Sequence, residues 1–276
     1  MNKSNVENNL VKLRRWFLNQ KGVIVAFSGG IDSALVVVLA KKFLGKEKII
    51  AVISNSESLK AKEFDAAKKF AKNQNIELKI IRTNEIDDKN YYSNPSNRCY
   101  FCKKHLYNGL MFFKLQYPDY TIVNGTNSDD YQDFRPGHKA AREFSVRSPL
   151  AECNIDKQSV RELARFLKLE IWNKPASPCL SSRIPYGEQI TLYKLKNIEK
   201  AEEILNRYGF QQVRVRYYGI KCKIEVPIEQ LVNLKKKIKY ISDEIVAETS
   251  FKICEIDEEG LISGKLNRKI LTEQKI

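Results

Sequence analysis

The chain has 276 residues, of which 43% are hydrophobic and 29% are charged, enough for the core of one large domain or two smaller ones. It contains no apolar run near the roughly 18–20 residues of a membrane span and starts without a secretory signal, so we expect a cytoplasmic protein with no membrane partner. Lysine and arginine number 48 against 33 acidic residues, a net charge of +15. This excess is compatible with an RNA partner, a small anionic substrate in a basic cleft, or a lysine-rich surface without a partner.

The hydrophobic pattern predicts that helices and strands alternate through the first part of the chain. An amphipathic helix is predicted over 5–20, and the continuous apolar run GVIVAF at 22–27 is typical of a strand buried on both faces. Further helices are predicted over 34–45, 58–73, 105–116 and 156–169, and further strands over 48–54, 76–83 and 121–127. This alternation indicates a doubly wound α/β domain with a parallel sheet, whose ligand lies at the carboxyl ends of the strands.

Two polar loops, residues 84–104 and 174–189, interrupt this pattern, and a different pattern follows the second loop. A smaller α+β domain is predicted there from a helix at 191–208, two strands at 211–219 and 221–226, a lysine-rich helix at 228–241 and a strand near 250–256. We therefore predict a first domain over residues 1–188 and a second over 189–276.

The string SGGIDS, residues 28–33, stands where the first strand passes into a helix. Gly29 and Gly30 let the backbone turn and approach a ligand, and the helix start offers N–H groups to a phosphate. Ser28 and Ser33 add hydroxyls, and Asp32 can hold a Mg2+ ion that bridges phosphates. A simple helix cap is the alternative. The full string resembles the SGGxDS signature of PP-loop ATP pyrophosphatases, which split ATP between its α and β phosphates.

A second polar string, GTNSDD at 125–130, follows the last predicted strand of this domain. Gly125 and Thr126 are expected at the same edge of the sheet as the phosphate loop. Asp129 or Asp130 can complete the metal or nucleotide site. A helix-capping cluster of Asn, Ser and Asp is the alternative.

Six cysteines are present, and three of them lie in the two polar loops. Cys99 and Cys102 form a CxxC pair, which by itself is compatible with half a zinc site, a redox pair or part of an iron–sulfur cluster. If both loops border the nucleotide edge, Cys179 can join them, and three thiolates on a [4Fe-4S] cluster leave one iron open to an extra sulfide. Zinc, a persulfide or disulfide relay, and inert packing are the alternatives. Small hydrophobic roles are expected for the other cysteines, and surface or capping roles for the histidines: Cys153, Cys222, Cys254, His105 and His138.

Five motifs in order resemble one family, LarE: SGGIDS, NRCYFCK, GTNSDDYQDFRPGHKAAREFSVRSPL, KPASPCLSSRIPYG and GFQQVRVR. LarE proteins are ATP-dependent sulfur transferases that build the nickel-pincer nucleotide of lactate racemase. The resemblance implies that a carboxylate of a pyridinium biscarboxylate mononucleotide is adenylated and that sulfur then displaces AMP to give a thiocarboxylate. It also implies a homo-oligomer, a hexamer in the family.

Members with a single cysteine at the position of Cys179 are thought to give up its sulfur. This chain also keeps Cys99 and Cys102 and is therefore similar to the three-cysteine type, which carries a [4Fe-4S] cluster and is recharged by sulfide or another sulfur donor.

Arg214 and Arg216 alternate along a predicted strand, so they point to one face, where two guanidinium groups suit a phosphate. A solvated strand face is the alternative. The resemblance favours binding, because the family holds the substrate phosphate with this second domain. Arg183 is a candidate for the same task, and Glu202 or Glu203 is expected to reach the site.

Other functions fit parts of the sequence. A tRNA-thiolating PP-loop enzyme suits the basic charge and the cysteines, but the chain lacks a recognisable RNA-binding appendage, so nucleic acid is not the expected partner. An ammonia-using amidotransferase ligase leaves three loop cysteines without a role, and nothing specific supports a nucleotide-sensing module.

Overall fold

The structure is a computed structural model that describes residues 3–131, 136–262 and 264–266. Residues 132–135, part of the third family motif, lie outside the described residues, as do 263 and 267–276 of the second predicted domain. The chain forms two compact units, one of Met1–Glu85 with Cys99–Ser177 and one of Ile86–Arg98 with Pro178–Ile276. The roles assigned to two domains from the sequence stay predictions.

The helices and strands follow one another in an order close to the predicted one. They are α1 (Lys3–Leu18), β1 (Val23–Ala26), α2 (Ile31–Leu44), β2 (Ile49–Ser54), α3 (Ala61–Asn73), β3 (Leu78–Ile81), α4 (Lys89–Tyr92), α5 (Arg98–Gln116), β4 (Thr121–Val123), α6 (Gly137–Glu143), α7 (Pro149–Glu152), α8 (Lys157–Phe166), α9 (Leu192–Arg207), β5 (Arg214–Tyr218), β6 (Lys221–Glu225), α10 (Leu231–Glu248) and β7 (Ile253–Ile256). In the described ranges, the helices lack the long apolar stretch that a bilayer crossing needs.

The first unit is built on a parallel sheet with the strand order β3-β2-β1-β4. Side chains of β1 alternate between two cores: Val23 and Val25 join the one that contains α2 and α8, while Ile24 and Ala26 join the one that contains α5. Helices therefore cover both faces, which is why the strands are apolar throughout. The predicted doubly wound α/β fold is confirmed.

The carboxyl ends of the central strands place two polar loops side by side. β1 pairs with β4 in parallel, with Val25 opposite Val123, so the loops that follow them leave the sheet at one edge. The SGGIDS loop follows β1 and the GTNSDD loop follows β4. This edge is where a ligand binds in open parallel sheets.

The second unit has a three-stranded sheet of order β5-β6-β7, in which β5 and β6 are antiparallel and β6 and β7 parallel. Helix α9 contacts β5, and α10 contacts both α9 and β7. The buried positions of α9 recur at helical spacing, which explains the packing: Leu195, Ile198, Ala201, Ile204 and Leu205.

Candidate functional site

The phosphate loop turns sharply at Gly29, whose φ of 73° is in the left-handed region. A Cβ at this position would lie 2.8 Å from the Cβ of Ala67 on α3, so both the conformation and the packing require glycine. Gly30 is the N-cap of α2 and has no side chain to satisfy the first-turn N–H groups. These groups are therefore oriented to bind an anion.

The two serines of the loop have different roles. Ser33 is buried; its hydroxyl donates to the carbonyl of Gly30 at 3.1 Å and accepts from the backbone N–H of Ser28 at 3.1 Å. The Ser28 hydroxyl lies 3.0 Å from Ser33 Oγ, and Ser28 is exposed. Ser33 thus holds the shape of the loop, while Ser28 faces solvent at its edge.

Asp32 lies in the first turn of α2 and is held by two side chains. Lys157 Nζ donates to its Oδ2 at 2.6 Å, and Asn127 Nδ2 donates to its Oδ1 at 3.1 Å. The carboxylate is an oxygen ligand of the kind that Mg2+ prefers, and it stands beside the anion-binding turn. The donor chemistry here therefore fits a Mg2+ ion bound together with phosphate oxygens.

The loop after β4 packs directly on the start of α2. A Cβ on Gly125 would lie 2.5 Å from the backbone nitrogen of Ser33 and 2.8 Å from its Cα, so only glycine fits. The backbone N–H of Thr126 donates to Asn124 Oδ1 at 3.0 Å. The structure therefore brings Gly125 and Thr126 together with the phosphate loop.

The two aspartates of this loop accept backbone hydrogen bonds. Asp129 Oδ2 accepts from the N–H of Lys157 at 3.0 Å, and Asp130 Oδ2 accepts from the N–H of Asn127 at 3.0 Å. Asp129 is exposed and Asp130 is buried. These contacts are those of the capping alternative, and the role of Asp129 in binding ATP stays a prediction.

A second lysine, Lys174, also reaches the phosphate loop. Its Nζ donates to the carbonyl of Gly29 at 3.2 Å and pairs with Glu63 of α3 at 2.6 Å. Together with Lys157 it places two ammonium groups around the anion-binding turn.

The CxxC pair lies within a helix and not in the polar loop where the sequence placed it. Helix α5 begins at Arg98, ahead of the predicted start at 105, so Cys99 and Cys102 fall in its first turns at i and i+3. Residues with this spacing share one face of a helix. A Cβ on Gly137 would lie 3.6 Å from the carbonyl oxygen of Cys99, so the start of α6 packs closely here.

Cys179 precedes a 3-10 turn, Leu180–Arg183, in the second unit. The turn is held by Arg183, which is 1% exposed and donates to both carboxylate oxygens of Glu202, at 2.8 and 3.3 Å. Arg183 also donates to the carbonyls of Pro178 and Cys179, at 2.9 and 3.2 Å. These contacts give Arg183 a role in shaping the Cys179 loop, and its predicted contact with a substrate phosphate stays a prediction.

All six cysteines are thiols rather than disulfides. Cys99 is exposed, and Cys102 and Cys179 are partly exposed. Cys179 belongs to a different unit from the CxxC pair, and within either unit the described residues form no group of three His, Cys, Asp or Glu side chains suited to a metal. Thiol ligands match an iron–sulfur cluster in kind.

Arg214 and Arg216 are both buried on β5, so the solvated-face alternative is wrong. Arg216 makes a two-pronged ion pair with Glu225, with both distances 2.9 Å, and donates to the carbonyl of Ser182 at 2.6 Å. Arg214 donates to the carbonyl of Ile262 at 3.1 Å and has no carboxylate in ion-pair contact among the described residues.

Arg214 therefore belongs to a cluster with an excess of positive charge. Burial and the neighbouring guanidinium groups of Arg183 and Arg216 lower the pKa of Arg214 below its ordinary value. The nearby carboxylates, Glu202 and Glu225, are already paired with the other two arginines. Such a cluster favours an added anion.

Comparison with known proteins identifies the family. Residues 9–99 match the NAD synthase family. An uncharacterized protein of Synechocystis sp. is 41% identical over 97% of this chain and 100% of its own length. The pyridinium-3,5-bisthiocarboxylic acid mononucleotide synthase of Lactiplantibacillus plantarum is 33% identical over 91% of both chains. This chain belongs to the LarE family.

The LarE assignment confirms the predicted enzyme class, an ATP-dependent sulfurtransferase with a PP-loop domain. The same fold links the chain to more distant ligases. One of the subunits of the glutamine-hydrolyzing GMP synthase of Saccharolobus solfataricus is 26% identical over 71% of this chain and 58% of its own length. ATP and Mg2+ are the expected ligands of this fold.

Sequence reasoning missed two lysines at the LarE phosphate loop, Lys157 and Lys174. Lys157 follows the N-cap Asp156 of α8, and Lys174 opens the loop that leads to Cys179. Their positions next to motifs were the available signal. The 48 basic residues of the chain hid it, because a lysine at a functional edge has the same local pattern as one on a solvated surface.

Proposed function

We propose that this LarE family member adenylates a carboxylate of a pyridinium biscarboxylate mononucleotide and then exchanges AMP for sulfur to form a thiocarboxylate. The match to the Lactiplantibacillus synthase over 91% of both chains carries the proposal. The geometry supports it, because the first unit offers a phosphate loop with a carboxylate for Mg2+ and the second offers a thiol beside buried arginines.

In the first step, a substrate carboxylate oxygen attacks the α-phosphorus of ATP, and the bond to the β-phosphate breaks to release pyrophosphate. The first-turn N–H groups of α2 and the Ser28 hydroxyl bind phosphate oxygens, and Asp32 would hold the Mg2+ ion. Lys157 and Lys174 offset the charge of the leaving pyrophosphate. A poor electrophile thereby gains AMP as a good leaving group.

In the second step, a sulfur nucleophile attacks the acyl carbon, the carbon–oxygen bond to AMP breaks, and a thiocarboxylate forms. A [4Fe-4S] cluster held by Cys99, Cys102 and Cys179 would supply that sulfur as a bound sulfide, replenished from sulfide or another donor. The role of Arg183 is to keep the Cys179 backbone in place through its two carbonyl contacts.

Arg214 is the group best suited to the substrate's own anion. Its guanidinium lacks the carboxylate partner that Arg183 and Arg216 each have among the described residues. A phosphate or carboxylate of the mononucleotide would complete this charge balance, with Arg216 beside it on the same face of β5.

The test is an anaerobic assay with ATP, Mg2+, sulfide and the pyridinium substrate, in which AMP is quantified and the thiocarboxylate is detected by mass spectrometry. Cys179→Ala is expected to form AMP without thiocarboxylate, and the matched control Cys153→Ala is expected to form both. AMP release that does not depend on the pyridinium substrate would show that the proposed substrate is wrong.

The cluster has a separate readout. Protein purified without oxygen should be brown, with iron and sulfide each near about four per chain, as a cubane requires. Colourless protein that contains zinc would exclude the cluster. Light scattering on the same sample tests the proposed hexamer.

A further inference from the structure

Two cysteines outside the candidate site face each other across neighbouring strands of the second unit. Cys222 on β6 and Cys254 on β7 are register partners. Cys222 Sγ lies 3.5 Å from Cys254 Sγ and donates a hydrogen bond to it. Cys222 is completely buried, whereas Cys254 is partly exposed. The two therefore form a dithiol pair and not the separate packing residues expected from the sequence.

The backbone geometry at this pair suits a covalent bond. Neighbouring strands lie about 4.7–4.9 Å apart, which falls inside the roughly 4.4–6.8 Å Cα separation of disulfides. The two sulfur atoms need to approach by about 1.5 Å to reach bonding distance, a change that rotation of the side chains can supply. Both strands already hold their register through the sheet.

The two thiols differ in reactivity. The hydrogen bond from Cys222, aided by the hydroxyl of Ser242, lowers the pKa of Cys254. The same hydrogen bond and burial raise the pKa of Cys222. Cys254 is therefore both the more accessible thiol and the better thiolate, which is the pairing of an attacking and a resolving cysteine.

We propose that Cys222 and Cys254 are a modification site that forms a reversible cross-strand disulfide by exchange with a low-molecular-weight disulfide. The Cys254 thiolate attacks one sulfur of the small disulfide, which releases one small thiolate and leaves a mixed disulfide. Cys222 then attacks the Cys254 sulfur, loses its proton and releases the second small thiol. Two protein thiols are oxidised and one small disulfide is reduced, independently of the proposed sulfur transfer.

The test uses the full chain in buffers with increasing ratios of oxidised to reduced glutathione. After alkylation, trypsin cuts at Lys221, Lys223, Lys252 and Lys265, so the disulfide links the dipeptide 222–223 to the peptide 253–265. The linked peptide is expected to increase with the ratio in wild type and to disappear on reduction.

Two variants sharpen the result. Cys222→Ser is expected to stop at a stable mixed disulfide on Cys254, and Cys153→Ser, a matched control in the first unit, is expected to match wild type. The proposal is overturned if wild type also stops at the mixed disulfide, or if both thiols stay reduced at ratios that modify Cys254 in Cys222→Ser.

Discussion

Replacing Arg183 with methionine tests whether a buried ion pair holds the Cys179 loop. Arg183 is 1% exposed and Glu202 is 3% exposed, so the substitution leaves a carboxylate in the interior without its guanidinium partner. Removing one member of such a pair costs about 3–5 kcal/mol. With a urea slope of about 2 kcal/mol per M, the unfolding midpoint should fall by about 2 M.

The assay is urea unfolding followed by circular dichroism, with Arg207→Met as the matched control. Arg207 pairs with Glu244 and Glu248 on the exposed surface of the same unit, so its loss should leave the midpoint close to wild type. Combining Arg183→Met with Glu202→Gln removes the stranded charge and should recover much of the loss. A midpoint for Arg183→Met within about 0.5 M of wild type would refute the reasoning.

Three further predictions follow from other parts of the first unit. Gly125→Ala places a Cβ against the backbone of Ser33 and should destabilise the unit by about 1–3 kcal/mol, seen as a lower melting temperature. Lys157→Met removes the ammonium group that pairs with Asp32 at the phosphate loop, so the Kd for Mg-ATP measured by calorimetry should rise about 10- to 100-fold. Burial raises the pKa of Glu85 above its ordinary value of 4.5, so the folded state binds this proton more tightly and loses stability as pH rises through the folded pKa. Glu85→Gln should therefore be more stable than wild type at pH 7, with a difference that shrinks towards pH 4.5 in urea titrations; a constant difference would contradict this.

The fold was predictable because each strand of the first unit carries its own signal. Continuous apolar runs such as 22–27 can be buried only between two helical layers, so they indicated the parallel sheet before its strand order was known. The start of α5 was not predictable in this way. Polar and aromatic residues around Cys99 resemble a loop, and the helix forms there because its later turns pack against the sheet through Tyr107 and Leu110.

The sequence alone determined the chemistry of the site: a phosphate loop at 28–33, an aspartate for a metal ion, and three thiols in two segments. Tertiary structure decided which polar groups are already paired. Arg183 and Arg216 look like anion ligands in the sequence, yet buried glutamates neutralise both, and Arg214 keeps its excess charge. The reason is physical: local pattern reports the type of each side chain, whereas ion pairing and burial depend on residues that meet only when distant segments fold together.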